Sequence, residues 1–367
     1  MPSRRAILTT GLTAASAVPL AGLFGGHASA AEPTVPRTLT RRGALAGGST
    51  RVDRTAFPLS HLGIRWTGTG QPGIRFRSES GWASWQPVHG CQGGRDGAPS
   101  GVRSALLTAP AAIGYDLDAD GGTGVEVVEL NTVDGPRRRR RAKPRTGMPV
   151  GEHIVPVRYL SRAAWGADES LRFTEDGTPL WGPEQFYPVQ TVTVHHTAGA
   201  NDDPDPAAFV RALYEYDTLV RYGDLGYHLL IDEAGTVYEG RWSGDDRQPV
   251  FGPIGTDGRP LMISAAHVGG MNSGNIGIAL LGDFTERQPT RAARRALTQV
   301  LAAFCAVQLL DPRARVTFVN PVNGVQAEVP TIPGHRDWAA TECPGNAFYP
   351  KLPSVRADVA RLLNHHG

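Results

Sequence analysis

Between Pro333 and Gly345 the chain reads Pro-Gly-His335-Arg-Asp337-Trp-Ala-Ala-Thr341-Glu-Cys343-Pro-Gly. This segment places an imidazole and a thiol eight residues apart, with Pro and Gly at both ends. A soft thiolate and a neutral imidazole on one short loop suit a zinc ion. The loop needs a further donor, and Val192-Thr193-Val194-His195-His196-Thr197, an apolar β-branched run ending in two histidines, is the best one. Adjacent side chains of a strand point to opposite faces, so one histidine of the pair faces the loop. Spacing does not say which. Two histidines and one cysteine leave a fourth position open, which separates a catalytic zinc from a structural one. The loop also permits Cys343 as a nucleophile with His335 as its base, given a thiol of low pKa near a helix start. That chemistry leaves the histidine pair without a role.

The elements that must position these groups follow from periodicity. Val189–Val194 is a β-branched run too short for a helix, hence a central strand. Asp205 followed by Pro206 reads as an N-cap and first helical position, and Phe209, Leu213, Tyr216 and Val220 share one helical face ended by Gly223. Tyr227–Ile231 and Thr236–Glu239 predict a hairpin around Glu233-Ala-Gly235, and Ile276–Leu281 a further strand. Ala293, Leu297, Leu301, Phe304 and Gln308 mark a helix from about Arg291, and Val355, Val359 and Leu362 a last one. Val316–Pro330 is expected to be a loop with room for a strand pair. Alternating strands and helices imply an α/β fold, a sheet flanked by helices.

Five motifs then fall in a familiar order: His195-His196-Thr197, Gly226-Tyr227-His228, Val237-Tyr238-Glu239-Gly240-Arg241, Asn275-Ile276-Gly277-Ile278 and the His335–Cys343 loop. Over roughly Val155 to Leu363 the chain resembles the zinc N-acetylmuramoyl-L-alanine amidases related to the peptidoglycan recognition proteins. The resemblance implies a central mixed β-sheet flanked by helices, one zinc per chain, and His195 as the third ligand beside His335 and Cys343. His196 is then packed or supports a ligand. The resemblance also implies that Tyr227 is the catalytic tyrosine and that Thr341 helps hold the substrate carbonyl. His267, Asn272, Arg241 and Trp242 are candidates for the substrate groove, Arg241 for a peptide carboxylate and Trp242 for stacking. Asp337 and Asp283 are candidates for orienting an imidazole, and both could equally cap turns. Cys343 stands where non-catalytic relatives usually carry serine, which favours an enzyme over a pure recognition module. The implied reaction is hydrolysis of the amide between N-acetylmuramic acid and L-alanine, so the expected partner is peptidoglycan or its muropeptides.

The rest of the 367 residues supplies context. Length predicts two domains. Residues 1–30 carry paired arginines, a mildly apolar stretch and Ala28-Ser29-Ala30, which reads as a removable signal of the twin-arginine type. The expected protein is therefore secreted or bound to the cell wall, with no stable membrane association once the signal is removed. Residues 31–55 read as a flexible lead. Residues 56–135, with alternating segments such as Leu62-Gly-Ile64-Arg-Trp66, predict a small all-β sandwich-like domain. Its Trp66, Trp82 and Trp85 suit a core or, alternatively, stacking on sugars. Residues 136–154 read as a basic linker, solvated and mobile, suited to touching anionic wall polymers. The remaining 155–367 form the amidase-like domain. Net formal charge is +2, and seven basic residues lie between Arg137 and Arg145. Basicity this local argues against a nucleic-acid-binding surface. Three cysteines do not make a disulfide scaffold, and Cys91 and Cys305 are expected to be free and buried.

Overall fold

The computed structural model describes residues 34–44, 49–90, 93–97, 101–245 and 248–366. The signal read in residues 1–30 and Cys91 lie outside them. No helix among the described residues is long and apolar enough to cross a membrane.

A five-stranded mixed sheet carries the histidine strand at one edge. Its order is Tyr159–Leu160, Val237–Glu239, Leu229–Ile231, Asn275–Leu280 and Thr191–His196. Leu229–Ile231 and Val237–Glu239 form the antiparallel hairpin expected, whereas Asn275–Leu280 runs parallel to both Leu229–Ile231 and Thr191–His196. Alternation sorts the faces. Val192, Val194, Ile276, Ile278, Leu280, Leu229 and Ile231 point into a core covered by the helices Arg291–Gln308 and Leu352–His366. The opposite face holds Thr193, His195, Asn275, Gly277 and Ala279, all but the glycine and alanine polar.

Helix boundaries follow local chemistry. The Asp205 side chain accepts from Ala208 N (3.1 Å), and Pro206 opens the helix Pro206–Tyr216. Thr290 caps Arg291–Gln308 in the same way, accepting from Ala293 N at 3.1 Å. Cys305 is buried inside that helix, free as expected, and burial pushes its thiol up to about 12. The stretch expected to be a loop with room for a strand pair does hold one, Arg315–Val319 antiparallel to Gln326–Pro330.

The amino-terminal β region is two packed sheets. One runs Leu39–Ala44, Thr123–Asn131, Leu59–Thr67, Val102–Ala112; the other includes Ser49–Val52, Gly114–Asp118, Gly73–Ser78 and Gly81–Trp82. Leu62, Ile64, Trp66, Ile74, Tyr115 and Leu117 fill the space between them. Trp66 is core, whereas Trp85 is exposed, and the Arg75 guanidinium lies over both Trp82 and Trp85.

Two expectations are corrected. The lead is not flexible where it is described: Thr34–Pro36, Leu39–Ala44 and Ser49–Val52 are strands. The basic segment is not a free spacer. Arg137–Arg139 pairs with Thr34–Pro36, Arg138 donates to Gly166 O (2.6 Å), and Met148 and Val150 sit in the core beneath the main sheet. Strand pairing is made by backbone groups, so a run of arginines joins a ladder once a partner strand arrives.

Candidate metal centre

The histidine strand and the His335–Cys343 loop are fastened to each other by backbone. Val192 N donates to Thr331 O (3.0 Å) and Val194 N to Pro333 O (2.8 Å), so the segment leading into the loop runs along the sheet edge. His335–Asp337 then makes one turn of 3₁₀ helix. Asp337 accepts from Gly334 N (2.8 Å) and from the Tyr349 hydroxyl (2.7 Å). Arg336 clamps the far side: its backbone N donates to Cys343 O (3.1 Å), and its guanidinium bonds Thr341 O and Glu342 O. Gly345 (φ 103°) closes the loop against the backbone of Phe284, where a side chain has no room.

This scaffold brings His195, His335 and Cys343 together, all buried, with one donor atom of each within 4.8 Å of the others. The hydrogen bonds around them say what the donors are. His267 Nε2 lies 2.8 Å from Asn275 O. A carbonyl only accepts, so that nitrogen carries the proton and His267 Nδ1 is the acceptor for His195 Nε2 at 2.9 Å. The proton of His195 therefore sits on Nε2, which leaves its Nδ1 bare and 3.7 Å from Cys343 Sγ. His335 Nδ1 is buried without a hydrogen-bond partner. A bare nitrogen, an orphaned nitrogen and a thiol converging in a buried site fit a divalent metal of intermediate softness. The His196 backbone N–H points at the same sulfur (3.4 Å), as suits a thiolate.

Electrostatics keep these imidazoles neutral, as metal ligation requires. Burial foremost, then neighbouring His335 and His267, holds His195 well below the ordinary histidine value. Burial also brings His335 and His267 down to about 3 and His228 to about 4.

Around the three donors, Tyr227 is half-buried with its ring edge-on to His195 (5.2 Å between centroids, 61°). Thr341 Oγ1 accepts from Cys343 N (3.2 Å), so its hydroxyl proton remains to be donated. His196 faces the opposite side of the strand, and its Nδ1 accepts from Phe284 N (3.2 Å).

Several residues read from sequence as groove-lining are placed elsewhere. His267 is buried behind His195, supporting it. Asn272 is buried and satisfied by Gly94 O, Asp96 and the amides of His267 and Val268. Arg241 is fully buried between Asp224 (2.8 Å) and Glu184 (2.5 Å), with its guanidinium 4.0 Å over Trp181. A guanidinium so paired has no free edge for a substrate carboxylate. Trp242 is half-buried and stacked under Arg172 at 4.2 Å. Of the two readings for the candidate carboxylates, turn-capping holds for Asp337, and Asp283 combines it with an approach to His196. Asp337 caps its turn as described above, and Asp283 accepts from Thr285 N (2.9 Å) while standing 3.6 Å from His196 Nδ1.

Sequence reasoning missed the support behind His195. A signal was available: Gly277 and Ala279 are the small residues of an otherwise Ile/Leu strand, and they pair with Thr193 and His195. A Cβ on Gly277 would stand 2.4 Å from the His267 ring.

A family profile described as N-acetylmuramoyl-L-alanine amidase matches residues 185–346. Peptidoglycan recognition protein 1 of Bos indicus is 30% identical over 196 residues, which span 52% of this chain and 80% of that protein. The human N-acetylmuramoyl-L-alanine amidase is 30% identical over 173 residues, 45% of this chain but only 24% of that protein's length. Among solved structures, Drosophila PGRP-LB aligns with a TM-score of 0.38 at 24% identity, over 54% of this chain and 93% of that one. The chain belongs to the family of the N-acetylmuramoyl-L-alanine amidases and peptidoglycan recognition proteins.

Proposed function

We propose that this member of a peptidoglycan-directed family is a zinc-dependent N-acetylmuramoyl-L-alanine amidase, exported by its amino-terminal signal and acting at the cell wall. In this reading residues 1–30 are the twin-arginine-type signal, 56–135 an accessory β domain and 155–367 the catalytic domain. The observation that carries it is the buried convergence of His195 Nδ1, a His335 with an orphaned nitrogen, and Cys343 Sγ. Zinc held by these three residues would polarise the scissile carbonyl and acidify the water that attacks it. Tyr227, packed against the His195 ring, is assigned the hydrogen bond to the oxygen that gains charge as the amide is attacked. Thr341, with its hydroxyl proton free to donate beside Cys343, is assigned to help hold the carbonyl oxygen. The cysteine-nucleophile chemistry is disfavoured because it needs one imidazole and leaves the third buried donor and Tyr227 without a role, whereas His195, His335 and Cys343 converge within 4.8 Å of one another.

The test is digestion of purified muropeptides with product masses read by mass spectrometry. Cleavage at the lactyl amide, releasing intact stem peptide from the sugar, is expected. Tight binding with no cleavage would make the chain a recognition module and overturn the reading.

A further inference from the structure

We propose that the amino-terminal β region is a working part of the metal centre, with Asp96 as a positioning residue that acts on His195 through Asn272 and His267. The inference rests on the zinc reading of the site.

Asp96 stands 176 residues before Asn272 in sequence, yet its carboxylate collects three donors from one loop. Oδ1 accepts from Asn272 N and Asn272 Nδ2, both at 3.0 Å, and Oδ2 accepts from Ser273 N at 2.9 Å. Gly94 O takes a further bond from Asn272 Nδ2 at 2.8 Å. A carboxylate is acceptor-only, so it matches a site made entirely of N–H groups. With its amide nitrogen so held, Asn272 turns Oδ1 toward the backbone of the next stretch and accepts from His267 N (2.8 Å) and Val268 N (2.9 Å). The His267 ring is then confined between Asn275 O, His195 Nε2 and the bare surface of Gly277. A second contact anchors the same β-region segment, for the Arg95 guanidinium lies 4.4 Å from the Trp181 ring.

Each link is an ordinary hydrogen bond, but the sequence of links has one direction. Asp96 fixes where Asn272 is, Asn272 fixes the His267 backbone, and His267 decides which nitrogen of His195 keeps its proton. The β region thus determines the donor atom that His195 presents. Groups that support a metal ligand in this way typically change affinity 10- to 100-fold when removed.

The experiment uses the full chain. Nitrogen-15 NMR of the histidine side chains in metal-free protein reads the tautomers directly, and chelator competition reads zinc affinity. In wild-type protein His195 and His267 are expected to carry their protons on Nε2. Asp96→Ala is expected to mix the His195 tautomers and weaken zinc binding about 10- to 100-fold. Asp96→Asn, which keeps one acceptor, should fall between. Asp116→Ala breaks the Arg75 pair (2.7 Å) elsewhere in the β region and should leave both readouts unchanged. A wild-type His195 protonated on Nδ1 would overturn the inference without any variant. So would zinc affinity and tautomers in Asp96→Ala equal to those of a zinc-binding parent. A parent that takes up no zinc would instead bring down the metal reading itself.

Discussion

Replacing Gly345 with alanine should damage both the fold and the metal centre, and the structure says by how much. Gly345 has φ 103°, a region L residues enter at a cost of about 1–3 kcal/mol. The added Cβ would also lie 2.2 Å from the backbone C and O of Phe284. Backbone cannot rotate away as a side chain can, so the collision adds about 1–3 kcal/mol of overpacking strain. Loss of glycine's freedom in the unfolded chain returns about 0.4–1 kcal/mol. The net expectation is a loss of roughly 3 kcal/mol by those figures. Gly324→Ala is the control: φ is 71° there but nothing lies within 4 Å of the new atom, so only the backbone strain applies. Urea unfolding of the two metal-free variants should differ by about 2 kcal/mol. Because Gly345 sits two residues from Cys343, its variant should also release zinc to a weaker chelator than Gly324→Ala does. Equal unfolding midpoints and equal zinc retention in both would refute the claim that this loop is locked against Phe284.

Tyr227→Phe should keep its zinc while kcat falls on the order of 10²–10³-fold, the usual cost of one donor to a developing oxyanion; an unchanged kcat would remove Tyr227 from the chemistry. Stability should also fall in acid through His61, which is buried against Phe209 and held at about 4 by burial and by Arg211. The neutral form is the folded form, so its stabilisation is complete above about pH 6.5 and is lost as pH falls toward 4. A displacement of that size is worth roughly 3 kcal/mol. Urea midpoints of wild type and His61→Phe should therefore diverge less at pH 7.5 than at pH 4.5, with the variant losing less in acid. Parallel pH curves would show that His61 does not carry the effect.

The parts of this molecule that were legible in sequence are those whose signal is local. The cysteine and histidine eight residues apart flag a candidate donor loop, and the cap at Asp205 fixes a helix start through a bond spanning three residues. An α/β sheet with one hairpin followed from short β-branched runs and a turn; its mixed order came from the family resemblance. What was missed depends on partners distant in the chain. Arg137–Arg139 became a strand because Thr34–Pro36 meets it about a hundred residues away. Arg241, Asn272 and His267 read as groove candidates because the family resemblance places the groove in this region. Their burial is decided by Asp224 and Glu184, by Asp96, and by Asn275, and no spacing rule reports those meetings. The choice of His195 over His196 came from family resemblance; strand alternation alone says only that one of them faces the loop.

Everything proposed for this site depends on three buried side chains holding one catalytic zinc. The direct measurement is metal content of the purified protein together with muropeptide hydrolysis, before and after a chelator and after zinc is restored, with His335→Ala alongside. The expected result is about one zinc per chain, hydrolysis lost with the metal and regained with it, and neither zinc nor hydrolysis in His335→Ala. Metal-free protein that still hydrolyses muropeptides and is stopped by thiol alkylation would contradict it.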